Sequence, residues 1–201
     1  MNTKFAFQKT QLKDVLLITP FCAEDCRGAF LKDYSQEVFR ANGLHHDLVE
    51  VFYAMSHKGV IRGMHFQRKH QQAKLVRCLS GSIYDVIVDL RPESPTFLKW
   101  QGFWLTGENR QMVYVPEYFA HGYLATEDAM VSYKCNKGFC AEYDDGIHYL
   151  DPDFQIEWPL ELIGGPEKVI LSEKDAGLQS FSDFRSKYLH MDEMHGEYEK
   201  W

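Results

Sequence analysis

Several features are missing from this 201-residue chain, and each absence narrows its chemistry. No run of ~18 apolar residues occurs, so no membrane-spanning helix is expected. The opening residues, MNTKFAFQKTQLKD, lack the long apolar core of a secretory signal, which predicts a cytoplasmic protein. Neither GxGxxG after a strand nor GxxxxGK[ST] is present, so no dinucleotide fold and no P-loop is indicated. Cys22, Cys26, Cys78, Cys135 and Cys140 include no CxxC pair and no zinc-like spacing; reduced thiols are expected. The HxH-plus-Glu pattern of metal-binding barrels is also missing. His65 and His70 are an odd number of residues apart, which would send them to opposite faces of a strand. No metal and no cofactor is expected, and the chemistry falls to side chains.

The composition that remains is that of an ordinary globular protein, 45% hydrophobic and 25% charged, long enough for one well-packed domain spanning 1–201. The net charge of −7 argues against a nucleic-acid partner, which needs a broad basic face. Yet GVIRGMHFQRKHQQAKLVR (59–77) concentrates cations in this acidic chain. In GSIYDVIVDL, Tyr84, Val86, Val88 and Leu90 alternate with Ile83, Asp85, Ile87 and Asp89, a strand whose second face suits a polar cavity. FLKWQGFWLT, QMVYVP, GYLAT and AMVSYKC read as further strands, separated by turns such as RPESPTF. Short strands at short intervals predict an all-β jelly-roll barrel. A short helix near DYSQEVFRANG, stopped by Gly43, flanks it. The core is expected over about 12–175, with 176–201 a polar C-terminal extension whose last dozen residues are mobile.

Within the basic cluster, His65 can serve as a core histidine or as an acid/base, because imidazole titrates near neutrality. Arg62 and Lys74 flank it with no carboxylate close in sequence, which suits an anion pocket. GVIRGMHFQ, KLVR, GSIYDVIVDLRPESPTF, VPEYFAHGYL, SYKC, DP…IEWP and LSEKD, in this order between about Leu12 and Asp175, resemble the dTDP-4-dehydrorhamnose 3,5-epimerase family of nucleotide-sugar epimerases. The resemblance implies a cupin-type jelly roll and a homodimer whose N-terminal segments reach across to the partner. It also implies metal-independent inversion of C3 and/or C5 in a nucleoside-diphosphate 4-keto sugar through an enolate, in deoxysugar or cell-surface polysaccharide biosynthesis.

The same resemblance implies roles residue by residue. His65 matches the base, Asp175 the carboxylate that orients it, Lys74 the cation beside the ketone oxygen, and Tyr133 the acid on the opposite face. Arg62 and His121 match groups around the diphosphate and sugar, and Arg27 an arginine reaching the nucleotide. Phe139 stands where the family has a stacking tyrosine, and Asp144 where it has a glutamate. Departures gather around the nucleoside: Lys32 in place of a glutamate, and Glu50 and Phe52 in place of Gln-x-Asn. These changes suggest a CDP- or GDP-linked substrate instead of a dTDP-linked one. Tyr118 in place of a glycine suggests added bulk near His121. Two alternatives stay open: a single-centre epimerase acting at C3 or C5 only, and a non-catalytic nucleotide-sugar-binding cupin.

Overall fold

The computed structural model describes residues 4–188. In chain order its strands are β1 (Ala6–Lys9), β2 (Leu16–Thr19), β3 (Phe21–Asp25), β4 (Gly28–Lys32), β5 (Glu50–Ser56), β6 (Ile61–Gln67), β7 (Lys74–Ser80), β8 (Ser82–Asp89), β9 (Trp100–Thr106), β10 (Met112–Val115), β11 (Phe119–Ala125), β12 (Ala129–Cys135) and β13 (Asp144–Gly146). Three short helices join them: α1 (Gln36–Ala41), α2 (Glu173–Ala176) and α3 (Phe181–Tyr188). A six-stranded sheet runs β1-β2-β10-β7-β12-β5, a five-stranded sheet runs β13-β6-β11-β8-β9, and β3-β4 stands apart as a hairpin. The class is the expected all-β, cupin-type jelly roll, built as two separate sheets that are not hydrogen-bonded into one cylinder. Among the described residues no helix is long and apolar enough to cross a membrane.

Strand alternation decides which residues meet. Ile83 and Ile87 of β8 join Val76, Leu105, Val113 and Val131 in a core that draws on both sheets and so lies between them. Val86 and Val88, from the other face of β8, pack with Leu90, Ile147, Trp158, Phe181 and Phe184 on the outside of the five-stranded sheet. A third cluster places Phe39 of α1 over Ile18, Leu75 and Met112.

Three expectations change here. The core does not stop near residue 175: Phe181 and Phe184 of α3 are 2% and 0% exposed. Burying each contributes about 1.5–3 kcal/mol, so their period-3 spacing makes α3 part of the fold, while the last residues of the expected extension lie outside the described ones. FLK (97–99) is not strand, and β9 starts only at Trp100, because Leu98 turns at φ 58 and Lys99 N–H closes back on Thr96 O. Asp89 faces no cavity; its carboxylate accepts hydrogen bonds from Arg91, Ser94 and Thr96.

One close approach positions the site. A Cβ on Gly63 (φ +134) would lie 2.5 Å from Gly122 Cα, so only glycine lets β6 and β11 draw together there. The register of this pair shifts between His121 and Tyr123, and His121 becomes the cross-strand partner of His65.

Candidate active site

A cavity of about 430 Å³ opens between the sheets, walled by β5, β7 and β12 on one side and β6 and β11 on the other. Of the residues expected from sequence, His65, Lys74, Tyr133, Arg62, His121, Phe52, Phe139 and Asp144 all line it. Asp175 stands directly behind His65.

His65 Nε2 lies 2.5 Å from Asp175 Oδ1, the histidine 28% exposed and the aspartate 6%. Asp175 sits in the first turn of α2, where its N–H donates to Ser172 Oγ at 3.0 Å. That N-cap fixes the helix and aims the carboxylate at the ring. Burial pushes the Asp175 carboxyl up, but the hydrogen bond and charge of His65, aided by Ser172, outweigh it and hold it below its ordinary value. The anion keeps the imidazole proton on Nε2 and leaves Nδ1 as the basic nitrogen.

A second pair lies deeper. His121 Nε2 is 2.8 Å from Asp85 Oδ2, with both side chains essentially buried (4% and 0% exposed). The strand face that mixes isoleucine with aspartate therefore sets Asp85 behind His121, which lines the cavity, while Asp85 itself is fully buried and not in the wall. Burial raises the Asp85 carboxyl pKa, against the opposing pull of His121 and Lys74, and its Oδ1 has no hydrogen-bond partner among the described residues.

Lys74 opens β7 facing the cavity. Burial lowers its pKa despite the nearby Cys135, Asp144 and Asp85, and among the described residues no carboxylate comes within ion-pair distance of it. Tyr133 is 7% exposed. Burial first, then the neighbouring Tyr123 and Asp85, push its phenol well above the ordinary range, so it keeps its proton at neutral pH. Arg62 donates to Ser56 Oγ at 3.0 Å and to the Met55 carbonyl at 3.2 Å, which fix its guanidinium, and among the described residues no carboxylate pairs with it. A guanidinium so held suits a phosphate.

Three expected residues do not reach this cavity. Arg27 is at the turn of the β3-β4 hairpin, 86% exposed and bridged to Asp25, because that hairpin pairs only with itself. Lys32, at the hairpin's base, borders a different hollow beside Phe21. Glu50 is turned toward the loop after β12, where its carboxylate accepts from Phe139 N–H at 3.1 Å and from Gln72 Nε2 at 3.5 Å. It therefore supports the exposed Phe139 ring from behind. Tyr118, turned at φ 67, is also absent from the wall beside His121. Conversely, Lys174 lines the cavity and pairs with Asp144; its place beside Asp175 in LSEKD is the one sequence signal that it lies near the site. Arg77, the last residue of the basic cluster, shares Asp33 with Lys134 and does not line the cavity. Among the described residues no group of three or more His, Cys, Asp or Glu side chains is placed to hold a metal ion.

Comparison with known proteins gives the family and the fold. The family model described as dTDP-4-dehydrorhamnose 3,5-epimerase matches residues 9–183. A protein of that name from Methanothermobacter thermautotrophicus is 45% identical over 173 residues, covering 86% of this chain and 92% of the relative. The crystal structure of a dTDP-4-dehydrorhamnose 3,5-epimerase from Elizabethkingia anophelis superposes with a TM-score of 0.83 at 40% identity, over 89% of this chain and 97% of its own. A Legionella pneumophila epimerase solved in complex with dTDP-4-keto-L-rhamnose gives 0.84 at 35% identity, over 91% and 96%.

Proposed function

The chain belongs to the dTDP-4-dehydrorhamnose 3,5-epimerase family of isomerases, and we propose that it inverts the carbons flanking the ketone of a dTDP-linked 4-keto sugar, with His65 as base and Tyr133 as acid. One observation carries this reading: His65 is on β6 of the five-stranded sheet and Tyr133 on β12 of the six-stranded sheet, so the two groups face the cavity from opposite walls. Inversion requires a proton to leave one face of a carbon and another to arrive at the opposite face.

In the proposed sequence the ketone acidifies its neighbouring C–H bonds. His65 Nδ1 takes a proton, and the C–H electron pair moves through the new C=C bond onto the oxygen as an enolate. Asp175 stabilises the imidazolium formed, and the Lys74 ammonium meets the charge developing on oxygen. The Tyr133 hydroxyl then gives its proton to the far face of the carbon and the ketone re-forms. Solvent restores the proton to Tyr133 and removes the one on His65. Carbon and enzyme both return to their starting charge, without change of oxidation state. Arg62, with Lys174 at the mouth, would hold the diphosphate, and Phe139 would stack on the base.

Tyr133→Phe tests the assignment. In D2O it should lower net inversion about a hundredfold while deuterium exchange at the base-side face persists, since His65 still works without the acid. Equal loss of both would remove Tyr133 from the acid role.

The dTDP reading rests on two supports. The relatives are named for dTDP sugars, and Glu50, one of the departures that suggested another base, is turned onto the Phe139 N–H and does not line the cavity. The homodimer is likewise part of the proposal. Tyr53 and Met55 of edge strand β5 are 60% and 73% exposed, and Phe30 on the hairpin is 64% exposed. Apolar surface on an open sheet edge and on a hairpin unattached to either sheet suits a second copy. The hairpin would then carry Arg27 toward the partner's cavity. Sedimentation should give twice the chain mass, and a monomer at micromolar concentration would contradict it.

A further inference from the structure

Among the described residues the hydroxyl of Tyr133 has no hydrogen-bond partner within 3.5 Å, although the residue is only 7% exposed. No polar partner therefore fixes where the phenol points. What holds the ring is aromatic. Phe52, its cross-strand partner on β5, lies parallel to it, ring centroids 4.8 Å apart and planes 12° from each other. His121 meets it edge-on at 5.9 Å and 77°. Parallel rings at this separation attract and resist tilting, and the histidine is itself anchored on Asp85.

We propose that Phe52 is a positioning residue for the reprotonation step, holding the Tyr133 ring so that its hydroxyl addresses the carbon opposite His65. The proposal rests on Tyr133 being the acid. Phe52 lines the same cavity and is 40% exposed, so it is not simply core. Its ring covers one face of the phenol while the hydroxyl stays free for the substrate. Without that cover the phenol samples other orientations and the proton donor is in line less of the time, a loss confined to steps that use the donor. The base, held by Asp175 on the other sheet, keeps its geometry.

The test compares two rates in D2O with the dTDP-linked 4-keto sugar: net inversion, and deuterium exchange on the base side. Phe52→Ala should lower net inversion about tenfold while exchange stays within about twofold of wild type. Phe52→Tyr, which keeps a stacking ring, should restore the wild-type ratio, and Phe52→Leu, which keeps apolar bulk without a plane, should fall between. Adding Phe52→Ala to Tyr133→Phe should leave the ratio of Tyr133→Phe unchanged, because both changes act through one hydroxyl. Melting curves of Phe52→Leu and Phe52→Tyr guard against a folding defect. A parallel fall of exchange and inversion in Phe52→Ala, or multiplicative effects in the double variant, would overturn the proposal. A wild-type ratio in Tyr133→Phe itself would overturn it differently, by removing the acid assignment on which it rests.

Discussion

Replacing His65 with alanine should reduce turnover by about 10³–10⁴-fold and abolish deuterium exchange together with net inversion. This is the largest effect expected of any single side chain, because the base acts first and every later step needs the enolate. The nucleotide should still bind. Arg62 and Phe139 border the same cavity but make no hydrogen bond to His65, so calorimetric titration of His65→Ala with dTDP should match wild type within about twofold. The same titration ranks the nucleotides, with dTDP expected ahead of CDP and GDP. Retained exchange in His65→Ala would transfer the base role elsewhere, with His121 the nearest candidate, since it is the cross-strand partner of His65. Tighter CDP or GDP binding would restore the altered-base reading and send attention back to Lys32 and Glu50.

The sequence alone conveyed the sheet more fully than the packing around it. AMVSYKC and GSIYDVIVDL alternate cleanly and became β12 and β8. The alternation also places Asp85 on the inward face with Ile83 and Ile87, where it anchors His121 of the cavity wall. The catalytic set was legible only as far as a family pattern carries it. His65 and Asp175 lie 110 residues apart and meet at 2.5 Å, and no local periodicity announces such a contact. What failed has physical reasons. Glu50 occupies an inward register position opposite Cys135, but its side chain is drawn to an unsatisfied backbone N–H at Phe139, which sequence position cannot reveal. Arg27 stands outside its own chain's cavity because its hairpin leaves both sheets, a matter of topology and not of residue type. The aromatic face of α3 was hidden by its polar surroundings, because Phe181 and Phe184 are only two residues in a charged segment. Phe52 was noticed as a departure near the nucleoside, while its contact with Tyr133 emerged only from the pairing of β5 with β12.

The second large effect concerns Lys74. Replacement by methionine keeps the length and apolar stem but removes the ammonium, and kcat should fall about 10²–10³-fold, the range for losing one preorganised donor to a developing oxyanion. The loss should appear in kcat more than in KM, since the oxygen carries full charge only during the reaction. The pH profile gives a second reading. Burial disfavours the charged form of Lys74 and lowers its pKa from the ordinary 10.5. It is therefore cationic at low and neutral pH and loses its charge as pH rises, earlier than a lysine in solvent would. Activity should accordingly decline on the alkaline side below the usual lysine range. Tyr133 is displaced in the opposite direction, upward, so it does not supply that limb. Lys74→Arg, whose guanidinium stays charged, should lower the rate through altered geometry yet move the alkaline limb upward. An alkaline limb identical in wild type and Lys74→Arg would show that another group titrates there. A Lys74→Met enzyme with wild-type kcat would place the stabilising charge elsewhere, and His121, bound to Asp85 in the same cavity, would be the side chain to change next.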